Sequence, residues 1–248
     1  MLVSPNQKKK SGAYMKKYQK EDTTSYTLGT FPTIELIKNK PESVAWVYLS
    51  SKLNNPDEII KLCEANNLPY EVSDKNIGKL SDKENVYVVG VFKKYEDILS
   101  EGHHVVLVSP ANMGNVGTII RTVLGFGIEN LAVIKPAADI FDPKVVRASM
   151  GALFQMKIAY YESFADYQKA FPEHLLYPFM LQTEHYLDEM KFPKKPSSLI
   201  FGPESSGLDD SYLTVGTPIK IRQSPKIDSF NLQVSVSVAC YEFMKNKK

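Results

Sequence analysis

Cysteine and histidine are both scarce in this chain, with two of the first and four of the second in 248 residues. Cys63 and Cys240 lie far apart in apolar contexts, so they read as reduced core residues and not as a disulfide framework or a metal site. His103 and His104 are adjacent and therefore do not share a helix face, so no zinc centre, no Cys/His catalytic centre and no bound metal are expected. No apolar stretch approaches the roughly 18 residues that a membrane helix requires. The opening stretch MLVSPNQKKKSGAYMKKYQK lacks the apolar middle of a signal peptide. The expectation is a soluble, cytoplasmic protein with no membrane partner. Acid is missing from residues 1–20, which carry six lysines, whereas the remainder holds 24 basic and 28 acidic side chains. A basic arm on a nearly neutral body fits loose, salt-sensitive contact with nucleic-acid phosphates, and fits a merely solvated tail as well.

What the chain has is enough apolar material, 43% of residues, for one large or two small domains. TIELIKN reads as a helix, SVAWVYLSS (43–51) as a strand, and NPDEIIKLCEANN (55–67) as a helix with Pro56 in its first turn. PYEVS, DKNIGKLS and NVYVVGVFK (85–93) continue as strand, short helix and strand, which closes a small α/β unit near residue 95. HHVVLVSP (103–110) then reads as a buried strand. In NVGTIIRTVLGFG, Val116, Ile119, Ile120 and Val123 form a helical stripe, and Gly127 suits the closing cap. NLAVIKP, MKIAYY, LLYPFMLQ (175–182), SLIFG (198–202) and TPIKIRQ (217–223) read as strands, with DPKVVRASMGALF and SFADYQKAFP as helices. Strands alternating with helices predict an α/β fold, a mostly parallel sheet covered by helices on both faces. The last stretch, SFNLQVSVSVACYEFMKNKK, fits either period: its valines alternate with serines as in a strand, while Leu232, Val236, Ala239 and Phe243 share a helix face.

In an open α/β sheet, ligands sit beyond the carboxyl ends of the strands. Three polar loops fall at such ends: SPANMGNVG (109–117), GPESSG (202–207) and RQSPKIDSFN (222–231). They bring Asn112, Asn115, Glu204, Ser229 and Asn231, with Arg121 one to two turns into the following helix. The glycine spacing, Gly114 and Gly117, is not that of a dinucleotide loop, and Lys135 stands where a ribose-binding acid would be wanted. No Gly-Lys-Ser/Thr follows for phosphoryl transfer, and no histidine falls in these loops to serve a hydrolytic triad. Each polar residue also has a plainer role to fill. Asn115 or Ser229 fits a helix cap, Asn231 a polar residue satisfied by backbone, and Arg121 a surface ion-pair partner.

NMGNVGTIIRTVLGFG, LIFGPESSGL and IRQSPKIDSFNLQVSVSVACYE resemble, in order, the three motifs of the SpoU/TrmH-type ribose 2′-O-methyltransferases of the SPOUT superfamily. VVRASMGALF is similar to that family's segment between the first two motifs, and the resemblance covers 103–248. Residues 23–95 resemble, more weakly, a ribosomal-protein-like RNA-binding domain. With the flexible basic tail over 1–22 that the charge distribution gives, the resemblance implies an RNA substrate-binding domain over 23–98 and a catalytic domain over 103–248. It also implies a C-terminal trefoil knot, S-adenosylmethionine as cofactor, a homodimer with a site completed across the interface, and a helix over 230–245. Carried over by position, Gly202, Ile221 and Phe230 contact the cofactor, with Phe201, Leu232 and Gln182 beside them. Arg121, Asn115, Glu204, Ser229 and Asn231 form the polar centre, and Glu204 faces Arg121. Two departures touch the cofactor floor: the family's Ile-Pro-Met is Ile221-Arg222-Gln223, and the usual leucine between serine and asparagine is Phe230. Arg222 becomes a candidate phosphate contact. The implied activity is methylation of a ribose 2′-hydroxyl in structured RNA, with ribosomal RNA favoured over transfer RNA. A non-catalytic RNA-binding factor that keeps the fold is the rival reading.

Overall fold

The computed structural model describes residues 16–81 and 85–245. In chain order they form β1 (Thr24–Leu28), α1 (Thr30–Asn39), β2 (Val44–Leu49), α2 (Asp57–Ala65), β3 (Tyr70–Val72), α3 (Asp74–Leu80) and β4 (Val88–Lys93). They continue as β5 (His104–Val108), α4 (Met113–Gly125), β6 (Asn130–Ile134), α5 (Pro143–Ala148), β7 (Lys157–Tyr161) and α6 (Phe164–Ala170). The chain then forms β8 (Leu175–Pro178), β9 (Ser197–Phe201) and α7 (Leu232–Met244). The first fifteen residues of the expected basic tail lie outside the described residues. No helix among the described residues is long and apolar enough to cross a membrane.

The chain packs as two compact units, Met1–Tyr95 with Asp139–Gln155, and Glu96–Ala138 with Met156–Lys248. The first unit holds a four-stranded sheet in the order β1-β4-β2-β3, with β4 antiparallel to both neighbours and β3 parallel to β2. Alternate residues of β2 and β4 face opposite sides. Val47, Leu49 and Val88 join Ile34, Ile37 and Ile59 of the helices in one cluster. Trp46, Tyr48, Val89 and Val91 join Tyr26 and Ile77 in another. The strand β1 was not expected, although TSYTL is made of the β-branched and aromatic residues that favour strands.

The division expected at 98 and 103 also differs from the packing, because Asp139–Gln155 belongs with the first unit. There α5 packs on β1, Phe141 and Phe154 meet Phe92 edge-on at 6.0 and 5.2 Å, and Lys94 pairs with Asp139 at 2.9 Å. The helix expected over 142–154 is broken. Met150 and Gly151 take φ of 49° and 83°, and only a single 3-10 turn, Ala152–Phe154, follows α5. Gly151 turns close over α1, and a Cβ there would lie 2.6 Å from Glu35 Cβ.

The second unit is a five-stranded sheet in the order β7-β6-β5-β9-β8, parallel throughout. One face packs Val106, Ala132, Ile134 and Ile200 against Tyr167 of α6 and Tyr212. On the other side α7 packs on α4 and on β9. The stripe Val116, Ile119, Ile120 and Val123 is fully buried, and Gly127, at φ 82°, follows the last turn of α4. The C-terminal ambiguity resolves as helix, with Leu232, Val236, Ala239 and Phe243 buried on one face. The strand expected over 217–223 is reduced to two isolated bridges, Phe179 with Ile219 and Tyr186 with Lys220. Two prolines close by, Pro178 and Pro218, lack the N–H that a longer ladder needs. The two thiols are buried, and burial pushes both Cys63 and Cys240 up to about 12.

Candidate functional site

The strand order reverses between β5 and β9, and this is where an open α/β sheet forms its crevice. The loop after β5 turns at Ser109, φ 49°, and enters α4 through Asn112, whose side-chain oxygen accepts the Asn115 N–H at 3.1 Å. The cap is therefore Asn112, which leaves the Asn115 side chain free for another contact. It donates from Nδ2 to Glu204 Oε1 at 3.2 Å. Glu204 also accepts the backbone N–H groups of Ala111 and Asn112, both at 3.3 Å. A carboxylate beside the first N–H groups of a helix is favourably placed against the helix dipole. Glu204 thus ties the loop after β9 to the loop after β5.

Gly202 begins the second loop. A Cβ there would stand 2.2 Å from the Gly207 carbonyl carbon and 2.3 Å from the Leu208 nitrogen. The loop doubles back on itself, with the Gly207 N–H donating to the Pro203 carbonyl at 3.0 Å and Gly207 at φ 70°. Glycine at 202 is required first by this tight return of the chain.

The fold gathers the segments 179–182, 201–208, 219–223 and 228–235 around one cavity of about 270 Å³. Gly202, Ile221, Phe230, Phe201, Leu232 and Gln182 all line it, together with Glu204 and Ser229. Its apolar wall includes Phe179 stacked on Phe201, with ring centroids 4.5 Å apart and planes 13° apart. Asn115, Arg121 and Asn231 are not part of its lining. Asn231 caps α7, accepting the Gln233 N–H at 2.9 Å. Arg121 is exposed, and its guanidinium makes no hydrogen bond or ion pair with the described residues, Glu204 included. Gln223, named only as a departure at the cofactor floor, and Asp228, which sequence reasoning passed over, also line the cavity and close the third loop by a bond from Gln223 Nε2 to the Asp228 carbonyl at 2.9 Å. Their signal was their place inside that loop.

Arg222 is not free for a phosphate. Its guanidinium lies 3.9 Å from the centre of the Tyr186 ring and bonds Glu189 at 2.7 Å and Asp188 at 3.3 Å. Lys220 lies 4.6 Å from the centre of the same ring and pairs with Glu184 at 3.2 Å. The Lys220 N–H donates to the His185 carbonyl and the Leu187 N–H to the Lys220 carbonyl, both at 2.9 Å. Residues 184–189 are thereby stapled to the segment that forms the cavity floor.

A parallel sheet with its polar loops gathered at the switch point defines a ligand-binding α/β domain. The chain belongs to the SpoU rRNA Methylase family, whose model matches residues 102–241, more than half of its length. It is 31% identical over 132 residues to an uncharacterized tRNA/rRNA methyltransferase of Synechocystis sp., covering 52% of this chain and 48% of that protein. It is 27% identical over 202 residues to the 23S rRNA (uridine(2479)-2'-O)-methyltransferase of Streptomyces viridochromogenes, covering 77% of this chain and 66% of that protein. The chain thus spans about half the length of the first relative. An AdoMet-bound rRNA methyltransferase from Sinorhizobium meliloti has the same fold, with a TM-score of 0.78 at 24% identity, covering 90% of this chain and 87% of that one.

Proposed function

We propose that this protein transfers the methyl group of S-adenosylmethionine to a ribose 2′-hydroxyl in structured RNA, with ribosomal RNA as the substrate class. The observation that carries this is the cavity beyond the carboxyl ends of β9 and β8, at whose margin Glu204 binds the second motif to the first. The relatives named for 23S rRNA methylation support the choice of substrate. The cavity fits the cofactor: Phe201, Phe230, Ile221 and Leu232 offer apolar surface, and the 202–208 backbone offers polar groups at its edge. Gly202, Ile221, Phe230, Phe201, Leu232 and Gln182 hold it in this reading. When bound, it supplies an electrophilic sulfonium methyl, so the protein's task is chiefly to place the ribose oxygen in line.

Glu204 keeps the two loops in register through Asn115, and Asn231 fixes the start of α7 at the site's margin. Ser229, exposed at the cavity rim, is free to meet the ribose. A guanidinium is a poor base, so Arg121 is not the proton acceptor in this reading. Its role is to stabilise the forming alkoxide and to grip a neighbouring phosphate. Within one chain it makes no contact with Glu204, which supports a homodimer in which Arg121 completes the partner's site. Val234, Val238 and Tyr241, exposed at successive turns of α7, supply the apolar stripe for that pairing. The first unit serves as the RNA-binding part and the second as the methyl-transfer part. Segment 217–231 runs along 179–189 before α7 returns to α4, an arrangement that supports a C-terminal trefoil knot.

Mapping ribose methylation on total RNA from cells with and without the gene tests the reading. Loss at a ribosomal site is expected; loss at a transfer-RNA site reassigns the substrate, and no loss anywhere removes the activity. Arg121→Ala is expected to abolish methyl transfer while calorimetry finds cofactor affinity unchanged. Full turnover by this variant would exclude Arg121 from the reaction.

A further inference from the structure

Among the described residues, the four large apolar side chains that the first unit leaves exposed, Phe31, Val72, Tyr87 and Met150, lie along one rim. Tyr87 stands just before β4, at the centre of that rim. On one side the Gly29 N–H donates to the Val88 carbonyl at 2.9 Å and leads into Phe31; on the other the Ser50 N–H donates to the Tyr87 carbonyl at 2.8 Å and leads into Lys52. Val72 and Lys75 follow on the next strand, since Val72 pairs in register with Leu49. Neighbouring strands are about 4.8 Å apart, so these residues form a continuous edge. Met150 joins from α5, because the Gly151 turn sits on the first turn of α1, where an added Cβ would lie 3.6 Å from Pro32 Cα. Met150 is held outward at φ 49°, a conformation that non-glycine residues adopt at a cost. Phe31 is 53% exposed and Tyr87 39%.

Charges of both signs lie beside this edge, and three of the cations are without an ion pair among the described residues. Lys52, Lys75 and Arg147 make no ion pair with a described residue, and Arg147 lies one turn before Met150. Two acids beside them are already hydrogen-bonded: Asp74 is engaged by the Ser50 and Ser51 hydroxyls at 2.6 and 2.5 Å and by the Ser51 N–H at 3.1 Å, and Glu35 accepts from Gln155 Nε2 at 2.8 Å. Aromatic faces interleaved with free cations match unpaired bases on a phosphate backbone. We infer that this edge of the first unit binds single-stranded or looped RNA, with Phe31 and Tyr87 stacking on bases and Lys52, Lys75 and Arg147 meeting phosphates. The inference rests on the reading of RNA as substrate and names the surface that selects it.

The test uses the full chain and a fluorescein-labelled single-stranded RNA of about 12 nucleotides, within the range that such surfaces cover, with the same sequence as a duplex for comparison. Anisotropy is expected to show tighter binding of the single strand. Phe31→Ala with Tyr87→Ala is expected to lose about tenfold or more in that affinity, with the duplex affinity, melting temperature and cofactor affinity unchanged. Phe31→Tyr with Tyr87→Phe retains binding. A double alanine variant that binds the single strand as the parent does overturns the inference. So does a change in oligomeric state on light scattering, which would assign the edge to self-association. A parent that binds RNA at this edge but methylates none would sink the proposed reaction and leave the surface standing. A parent whose methylation is indifferent to the double variant would do the reverse.

Discussion

His104 begins β5 with both ring nitrogens engaged, Nδ1 with the Tyr167 hydroxyl and Nε2 with the Ser100 carbonyl, each at 2.8 Å. Nε2 must donate to that carbonyl, and because burial keeps the ring neutral, Nδ1 then accepts from Tyr167. Tyr167 in turn meets the Ser198 hydroxyl at 2.6 Å, and Ser198 meets His174 Nδ1 at 2.9 Å. Burial lowers His104 to about 4, and it lowers His174 as well. In the unfolded chain an imidazole takes up its proton near 6.5. The stability gained from a neutral His104 is therefore complete above that value and is lost as pH falls from about 6.5 towards 4, by roughly 3 kcal/mol at the lower limit. Urea unfolding at pH 7 and pH 5 should show a clear fall in midpoint, and His104→Gln should flatten it; an equal fall in both would remove His104 as the cause. At this scale the loops were legible in the sequence, because Asn115, Gly202 and Glu204 stand at strand ends among turn-forming residues. The partners were not. Glu204 meets Asn115 across 89 positions and His104 meets Tyr167 across 63, pairings set by strand order and not by local pattern.

The staple of Arg222 and Lys220 on Tyr186 links two elements that the sheet alone would leave weakly joined, since 217–223 forms only two bridges. Cation–π contacts and exposed ion pairs are each weak, but here several of them act on one short segment. Together they tie residues 184–189 to the floor segment, on which Ile221 and Gln223 face the cavity. Arg222→Ala is expected to raise the KM for S-adenosylmethionine about three- to tenfold with little change in kcat, and added salt should weaken the parent towards the variant. A variant with lowered kcat and unchanged KM would show that the staple does not act on the cofactor wall. The sequence marks Arg222 as a departure from the family pattern, yet its acids lie 33 and 34 positions away, beyond the reach of spacing arguments. Periodicity found the long helix α4 through its buried stripe, but over α7 it fitted strand and helix alike, and only the family resemblance implied helix there. Periodicity failed over 142–154, where the apolar spacing continues through Met150 and Gly151 although the backbone turns left-handed at both.

For the whole molecule, two features set how its parts depend on one another. The stripe on α7 predicts self-association. Val238→Glu should yield a monomer on light scattering and lose methyl transfer while keeping cofactor affinity, because the cavity is built within one chain; an active monomer would exclude a shared site. The second feature is the path of the chain. Between β6 and β7 it leaves the second unit, and Asp139–Gln155 completes the core of the first. Val145, Val146 and Phe154 are almost wholly buried there, and the Ser25 hydroxyl donates to the Phe141 carbonyl. Composition and motif order placed this segment in the catalytic domain because they read along the chain, whereas its apolar residues are covered by β1 and by Phe92. Removing the residues up to Tyr95 would strip that cover. Each large side chain so exposed costs about 1.5–3 kcal/mol, and several together exceed what a domain can spare. A fragment of residues 96–248 is therefore expected to aggregate or bind a hydrophobic dye, and to recover solubility when residues 1–95 are co-expressed with it. A monodisperse fragment that melts cooperatively within a few degrees of the full chain would show instead that Asp139–Gln155 is dispensable to the second unit and that the two units fold independently.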